Sequence, residues 1–293
     1  MLLGLSEILA PLSLESFLAE FWGRRSLRGQ CPSIAELTTA EDLLSELGRA
    51  HQQGIDLAGD LRGMMQRKTD ETGEDSFATF VRHVHPSDVE ALLESGLNLN
   101  IRRAERFGQS ISSLVKAITG ELGPGTVVRA DAFVHRCSGG GLPRHFDSMS
   151  VLVLQVSGRK AWSLQPHVSL PFPLTSAKAS GWDSSAGQVH ALLPPPVVPA
   201  MEDFQLSAGE WVFVPAGAWH CTRAQEAGLS INIIFSHQRL WNWLAERCAE
   251  RFGTAPSWRS LPVASTVPLR DLLANCVEDL QAWIHELDAQ GDG

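Results

Sequence analysis

Three side chains of this sequence have the types and the spacing to share one metal ion. His145 and Asp147 lie two residues apart in Gly139-Gly-Gly-Leu-Pro-Arg-His145-Phe-Asp147, and His220 ends the stretch Val214-Pro-Ala-Gly-Ala-Trp-His220. On an extended segment, residues two apart point to the same side, so His145 and Asp147 can reach a common ion. His220 completes the set only if the fold returns its strand alongside theirs. Two imidazoles and one carboxylate on one face of an ion leave the opposite coordination positions open, the arrangement that non-haem Fe(II) oxygenases use.

The bare His-x-Asp pattern carries little weight. With 10 His and 33 acidic residues in 293, about one His-x-Asp/Glu arises from composition alone, and the chain contains one. The weight comes from context: glycines just before the motif, an apolar run just after it, a basic residue near the end of the following strand, and a second His beside a Pro-Gly turn.

Composition narrows the function classes. A net charge of -9 argues against broad binding to nucleic acid or anionic membrane, because such binding needs a basic field. The absence of tyrosine removes phenol-based acid catalysis. Five cysteines, Cys31, Cys137, Cys221, Cys248 and Cys276, have no CxxC spacing, which predicts reduced thiols in a cytoplasmic protein. No stretch has the length of a transmembrane helix.

The elements that must position the three residues read as follows. From Ser13 to about Gly120 the apolar spacing predicts a helical wrap, with Leu14, Phe17, Leu18, Phe21 and Trp22 as one stripe and Ile111, Leu114, Val115 and Ile118 as another. Thr39-Ala-Glu-Asp42 has capping-box form, and Pro86-Ser87-Asp88 begins a further helix. After Gly123-Pro-Gly125 the pattern changes to short β-type runs at Thr126 to Val134, Ser150 to Val156, Lys160 to Leu164, Phe204 to Leu206, Glu210 to Val214 and Ser230 to Phe235. The fold class expected is mainly β with helical flanks, a closed double sheet of the cupin jelly-roll kind. The Pro- and Ser-rich stretch between Gln165 and Asp203 reads as a cover near the mouth of the barrel. The chain thus divides into a helical region at 1–122, a β core at 123–236 and a helical region at 237–293.

From Ala130 through Trp162, and again in Phe21-Trp22-Gly-Arg24 and Leu206-Ser-Ala-Gly-Glu-Trp-Val-Phe-Val-Pro215, the chain resembles the JmjC/cupin family of 2-oxoglutarate oxygenases, especially the ribosomal-oxygenase and asparaginyl-hydroxylase branches. That resemblance implies a double-stranded β-helix, with His145, Asp147 and His220 as Fe(II) ligands. It implies that Lys160 pairs with the distal carboxylate of 2-oxoglutarate, a buried anion that requires a cation. Strand alternation turns the neighbouring Arg159 to the other side. It also implies hydroxylation of a protein or peptide side chain; a small-molecule hydroxylase, or a cupin metalloprotein that uses no 2-oxoglutarate, is the alternative.

The chain departs from the family at two places. Phe133 stands where relatives carry a tyrosine that can bond the co-substrate, and Asp131 where they carry an asparagine. Asn232, on the strand after His220, is a candidate co-substrate contact or a structural amide. Gln155 is open between core and substrate, and His135, two residues past Phe133, is expected to line the cavity. His83-Val-His85 has the alternation of a metal pair but reads as ordinary, and Cys221 as packed. In the C-terminal region Leu269, Leu272, Leu273, Cys276, Val277, Leu280, Trp283, Ile284 and Leu287 form one apolar face, introduced by Thr266-Val-Pro268, and Leu240, Trp241, Leu244, Cys248 and Phe252 another. They predict a homodimer through these helices.

Overall fold

The computed structural model describes residues 3–57, 59–68, 77–123, 125–136, 141–168, 170–178, 200–237, 240–255, 258 and 268–290. These divide into two compact units, 1–237 and 238–293.

The first half of unit one holds the expected helices, among them α1 (Leu5–Leu9), α2 (Leu14–Glu20), α3 (Ala40–Gln52), α4 (Val89–Glu94) and α5 (Gln109–Leu122). Thr39 caps α3 by accepting the backbone N–H of Asp42 at 3.0 Å, as its capping-box sequence requires. The region is not helical throughout, which corrects the expected wrap. Four strands interrupt it: β1 (Leu27–Gln30), β2 (Leu61–Lys68), β3 (Phe77–His83) and β4 (Asn98–Ile101). Asn98-Leu-Asn-Ile101 shows why. Its period is two, but four residues are too few to stand out between helices, and its strand state comes from pairing with the barrel, Asn100 opposite Phe133.

Nine more strands follow: β5 (Thr126–His135), β6 (Gly141–Phe146), β7 (Ser150–Ser157), β8 (Arg159–Leu164), β9 (Ala177–Lys178), β10 (Glu202–Ser207), β11 (Glu210–Val214), β12 (His220–Ala224) and β13 (Gly228–His237). They make two antiparallel sheets, one in the order β1-β11-β7-β13-β5-β4-β2-β3 and one in the order β10-β8-β12-β6-β9. The chain crosses between the sheets at β5 to β6, β6 to β7, β7 to β8, β10 to β11, β11 to β12 and β12 to β13, which is the winding of a double-stranded β-helix. That confirms the expected fold class.

Alternation along the large sheet separates its two faces. Leu152 and Leu154 on β7, Trp211 and Phe213 on β11 and Ile231, Ile233 and Phe235 on β13 join the core shared with the N-terminal helices. Val151, Val153, Val212, Val214 and Ile234 turn inward to meet Trp162 and Leu164 of the small sheet. Trp22, just after α2, stacks on Phe213 at 5.5 Å and meets Phe235 at 5.0 Å, so it holds the outer face of the strands whose inner face lines the site. The inner residues of β5 and β13 are largely polar, and they leave space for a ligand.

Most of the expected cover lies outside the described residues. Its described part includes β9, which pairs with β6 so that Lys178 stands opposite His145. Cys137 and His190 also lie outside the described residues.

In unit two, the helices Leu240–Phe252 and Leu269–Gln290 pack through Trp243 and Trp283, whose rings lie 6.4 Å apart, and through Phe252 against Trp283 at 6.0 Å. An Arg251–Glu286 ion pair joins them on the outside. Thr266 and Val267 of the expected start signal lie outside the described residues.

Candidate metal centre

His145 sits near the end of β6 and His220 begins β12, and the two are direct partners across the antiparallel pair. Asp147 follows β6 immediately. The turn before β12 is bound to it: the backbone N–H of Gly217 donates to the Asp147 carbonyl at 2.8 Å. Gly217 has φ +87, and a Cβ there would collide with the carbonyl oxygen of Leu170, so the Pro-Ala-Gly turn beside the second histidine requires glycine.

The three ligand atoms lie within 4.8 Å of one another, and among the described residues no other group of His, Cys, Asp and Glu converges in this way. His145 Nε2 and His220 Nε2 are each 3.8 Å from Asp147 Oδ2. One ion with bonds of about 2.1 Å to each ligand bridges such a gap. The imidazoles are fixed for that purpose. Nδ1 of His145 is 2.7 Å from the Pro143 carbonyl and Nδ1 of His220 is 3.0 Å from the Ala218 carbonyl. A carbonyl only accepts, so each Nδ1 carries the proton and each Nε2 presents its lone pair to the ion. Burial, then the neighbouring charge of His145, pushes the His220 imidazole down to about 4 against the opposing pull of Asp147. It is therefore neutral near pH 7, the form that binds metal.

The triad opens on a cavity of about 290 Å³ that runs between the sheets. Lys160 lines it from β8. The turn that places Lys160 contains Gly158 at φ +70, where a Cβ would collide with the Ala227 carbonyl. Its ammonium donates to Ser230 Oγ at 2.8 Å and lies 5.5 Å from the Phe133 ring centroid. It forms no ion pair among the described residues, and burial alone lowers it to about 8. Arg159 points outward and binds Glu226 at the surface, as strand alternation predicts.

Asn232 and Phe133 line the same cavity, and Asn232 Oδ1 is buried without a partner. His135 also lines it, 6% exposed, with both ring nitrogens unpartnered. Burial and then the Lys160 charge hold its imidazole well below the usual range. Gln155 is buried off the cavity, its amide donating to the Ser157 carbonyl at 2.8 Å. His83 and His85 belong to no ligand cluster among the described residues, and His85 accepts the Ser87 backbone N–H at the start of a 3-10 turn. Cys221 does not line the cavity. Sequence reading missed Ser230, Asn100 and Arg62, all near or on this surface; the period-two residues around Asn100 were the available signal.

Comparison with known proteins places this geometry. Residues 110–242 match the family model of the JmjC domain. The chain is 25% identical over 250 residues to the uncharacterized protein YxbC of Bacillus subtilis, covering 81% of this chain and 72% of that one. It is 24% identical to ribosomal oxygenase 2 of Rattus norvegicus over 73% of this chain but 42% of that protein, so it spans less than half of that relative. Among solved structures, Escherichia coli ribosomal oxygenase YcfD superposes with TM-score 0.58 at 17% identity, over 92% of this chain and 66% of that one. A structure of YcfD in complex with cobalt and 2-oxoglutarate superposes with TM-score 0.58 at 15% identity, over 95% of this chain and 68% of that one. At such identity the likeness establishes the fold.

Proposed function

We propose that this chain, whose residues 110–242 match the family model of the JmjC domain, is an Fe(II)- and 2-oxoglutarate-dependent dioxygenase that hydroxylates a side chain of a protein or peptide. The observation that carries the reading is a pairing within one cavity: a triad with both imidazoles tied back through Nδ1, and a buried lysine with no anionic partner among the described residues. A cupin metalloprotein that used no keto acid would have no need of that lysine. The ribosomal oxygenases among its relatives support the polypeptide substrate.

His145, Asp147 and His220 would hold the ion on one side. Lys160, with Ser230 beside it, would bind the far carboxylate of 2-oxoglutarate, a charge that a low-dielectric site otherwise disfavours. The side-chain N–H of Asn232 and an N–H of the His135 ring, both on the cavity wall, are further donors for the co-substrate oxygens. When bound, the iron and 2-oxoglutarate supply the oxidation: dioxygen converts the keto acid to succinate and carbon dioxide and places one oxygen atom on an unactivated carbon. The chain's own part is to orient these groups, to keep His220 neutral and to exclude water with the apolar walls Val151, Val153, Val214 and Ile234.

Succinate release from 2-oxoglutarate, with and without added Fe(II), tests the reading. Iron-dependent succinate supports it, and its absence with iron shown to be bound ends it.

We also infer a homodimer formed through the C-terminal helices, supported by exposed Leu273, Val277 and Ile284 on one helix. Among the described residues Cys31, Cys248 and Cys276 form no disulfide, which suits a reducing, cytoplasmic setting. Among the described residues no helix is long and apolar enough to cross a membrane.

A further inference from the structure

The triad cavity carries more positive charge than iron and 2-oxoglutarate account for. Arg62, Arg102 and Arg129 all line it, together with Asp131. They come from neighbouring strands of the large sheet: Arg62 from β2, Arg102 from the residue after β4, and Arg129 from β5.

Nearby arginines form ion pairs, and among the described residues these do not. Arg103 and Arg106 both bind the buried carboxylate of Asp60, at 2.7 and 2.6 Å. Among the described residues Arg62, Arg102 and Arg129 make no ion pair. Nε of Arg62 and Nε of Arg129 are buried with no hydrogen-bond partner. Among the described residues the one hydrogen bond of the Arg129 side chain goes to Met149 Sδ at 3.8 Å, and a thioether is a weak acceptor. Asp131 offsets only part of this charge. Its carboxylate accepts the Arg103 backbone N–H at 3.1 Å, and burial raises its pKa despite the opposing effects of that bond and of Arg129, Arg102 and Arg62. Three guanidinium groups thus share one carboxylate, which also accepts a backbone N–H. Buried N–H donors without acceptors are costly, and a guanidinium is matched best by a planar oxyanion that takes two N–H bonds at once.

We propose that the prime substrate presents a carboxylate to Arg62, Arg102 and Arg129, which anchors it with the carbon to be oxidised between the arginines and the triad. This rests on the dioxygenase reading for its chemistry and on the arginines alone for its ligand class. The carboxylate belongs either to an aspartate or glutamate side chain of a polypeptide or to a free small acid. A substrate offering a lysine or arginine side chain meets like charge and is disfavoured.

Calorimetry on the full chain tests this anaerobically, with Fe(II) and saturating 2-oxoglutarate present so that no turnover occurs. The probes are blocked pentapeptides with central Asp, Glu, Asn, Gln or Arg, and free aliphatic mono- and dicarboxylic acids. Binding by the Asp or Glu peptides, or by the free acids, supports the anchor and identifies which source supplies the carboxylate. The Arg129→Gln and Arg62→Gln variants should each weaken that binding about 10- to 100-fold, and added salt should weaken it in the wild type. Arg129→Lys keeps the charge without the fork and should recover only part of the loss, which separates recognition from a folding defect visible by circular dichroism. Equal binding of amide or arginine peptides, or no carboxylate binding in any arm, overturns the proposal. Absence of succinate in air with iron bound would instead sink the dioxygenase reading and leave the binding result to stand by itself.

Discussion

His145 and His220 face one another across β6 and β12, and each places Nδ1 within hydrogen-bonding distance of the carbonyl two residues before it, Pro143 and Ala218. The same local device on two strands far apart in sequence aims both Nε2 atoms at Asp147. A side chain that merely filled space would not need both tautomers fixed. Asp147 itself is 31% exposed at the side chain, so its role in the core is small.

Asp147→Ala is therefore expected to lower succinate production by at least about 100-fold, more than the loss of an outer-shell partner, with little change in melting temperature of the metal-free protein. Parallel assays at saturating Fe(II), with bound iron quantified, check this. Comparable turnover in the variant would remove the triad as the metal site.

Lys160 and Arg159 are adjacent and have opposite surroundings, one buried beside Ser230 and one paired with Glu226 at the surface. Breaking a buried charge pair costs on the order of 3–5 kcal/mol, so Lys160→Ala should raise KM for 2-oxoglutarate by about 100-fold or more. Arg159→Ala loses an exposed pair worth about 1 kcal/mol at most and should change KM by only a few-fold. Steady-state kinetics at fixed Fe(II) decide between them, and a dominant effect of Arg159 would mean that the co-substrate site had been placed on the wrong side of β8.

The legible part of this site was whatever rests on a period of two. His145 with Asp147, and Lys160 against Arg159, follow from alternation on a strand, and the strong apolar runs of β7, β11 and β13 announce themselves because they are buried on both faces. The strands that carry the histidines were less visible. Gly141-Leu-Pro-Arg-His-Phe146 contains a glycine and a proline, and His220-Cys-Thr-Arg-Ala224 lacks large apolar residues, so neither shows strand propensity; pairing with each other, of β12 with β8 and of β6 with β9 supplies it. Arg62 and Asn100 were missed for a related reason. They reach the cavity only because β2 and β4 extend the large sheet past β5, a tertiary event with no strong local signal.

The ionisation of Lys160 sets a pH limit on co-substrate binding. Burial lowers its pKa to about 8 in the ligand-free protein, and a carboxylate beside it raises that value. Below pH 8 the ammonium is charged in both free and bound states, so this group leaves affinity constant. Above pH 8 the free protein must take up a proton to bind, and affinity for 2-oxoglutarate should fall by up to about tenfold per pH unit. Stability moves the other way: the folded value lies below the ordinary 10.5, the unfolded chain holds the proton more tightly, and stability gains as pH rises between those values. Binding titrations from pH 7 to about 9.5 test this, and a flat profile contradicts it.

His135 offers a separation of stability from binding. Both its ring nitrogens are buried without partners while it lines the cavity with Lys160, and each unsatisfied buried polar atom costs about 1–3 kcal/mol. His135→Phe should raise the melting temperature of the ligand-free protein and raise KM for 2-oxoglutarate. Differential scanning calorimetry and kinetics on the same preparation show whether the two effects appear together; a variant that lost stability would identify His135 as a structural residue.

The C-terminal helices give the last prediction. In unit two the Trp243–Trp283 contact and the Arg251–Glu286 pair join the two helices to each other, yet Leu273, Val277 and Ile284 remain 55%, 50% and 53% exposed along one helix. Positions 273, 277, 280 and 284 recur at the spacing of one face, and Leu280 between them is partly buried. An apolar stripe of this kind suits a two-fold partner presenting the same face, and a charge placed in its middle on both copies would set like charges together. Because Val277 and Ile284 are exposed within the protomer, Val277→Arg with Ile284→Arg should leave the fold intact while breaking the association. Sedimentation of the full chain at tens of micromolar (roughly the range in which a moderate interface forms) is expected to show a dimer for the wild type and a monomer for the double variant. A wild type that stays monomeric across that range ends the dimer proposal, and a dimeric double variant moves the interface off this helix.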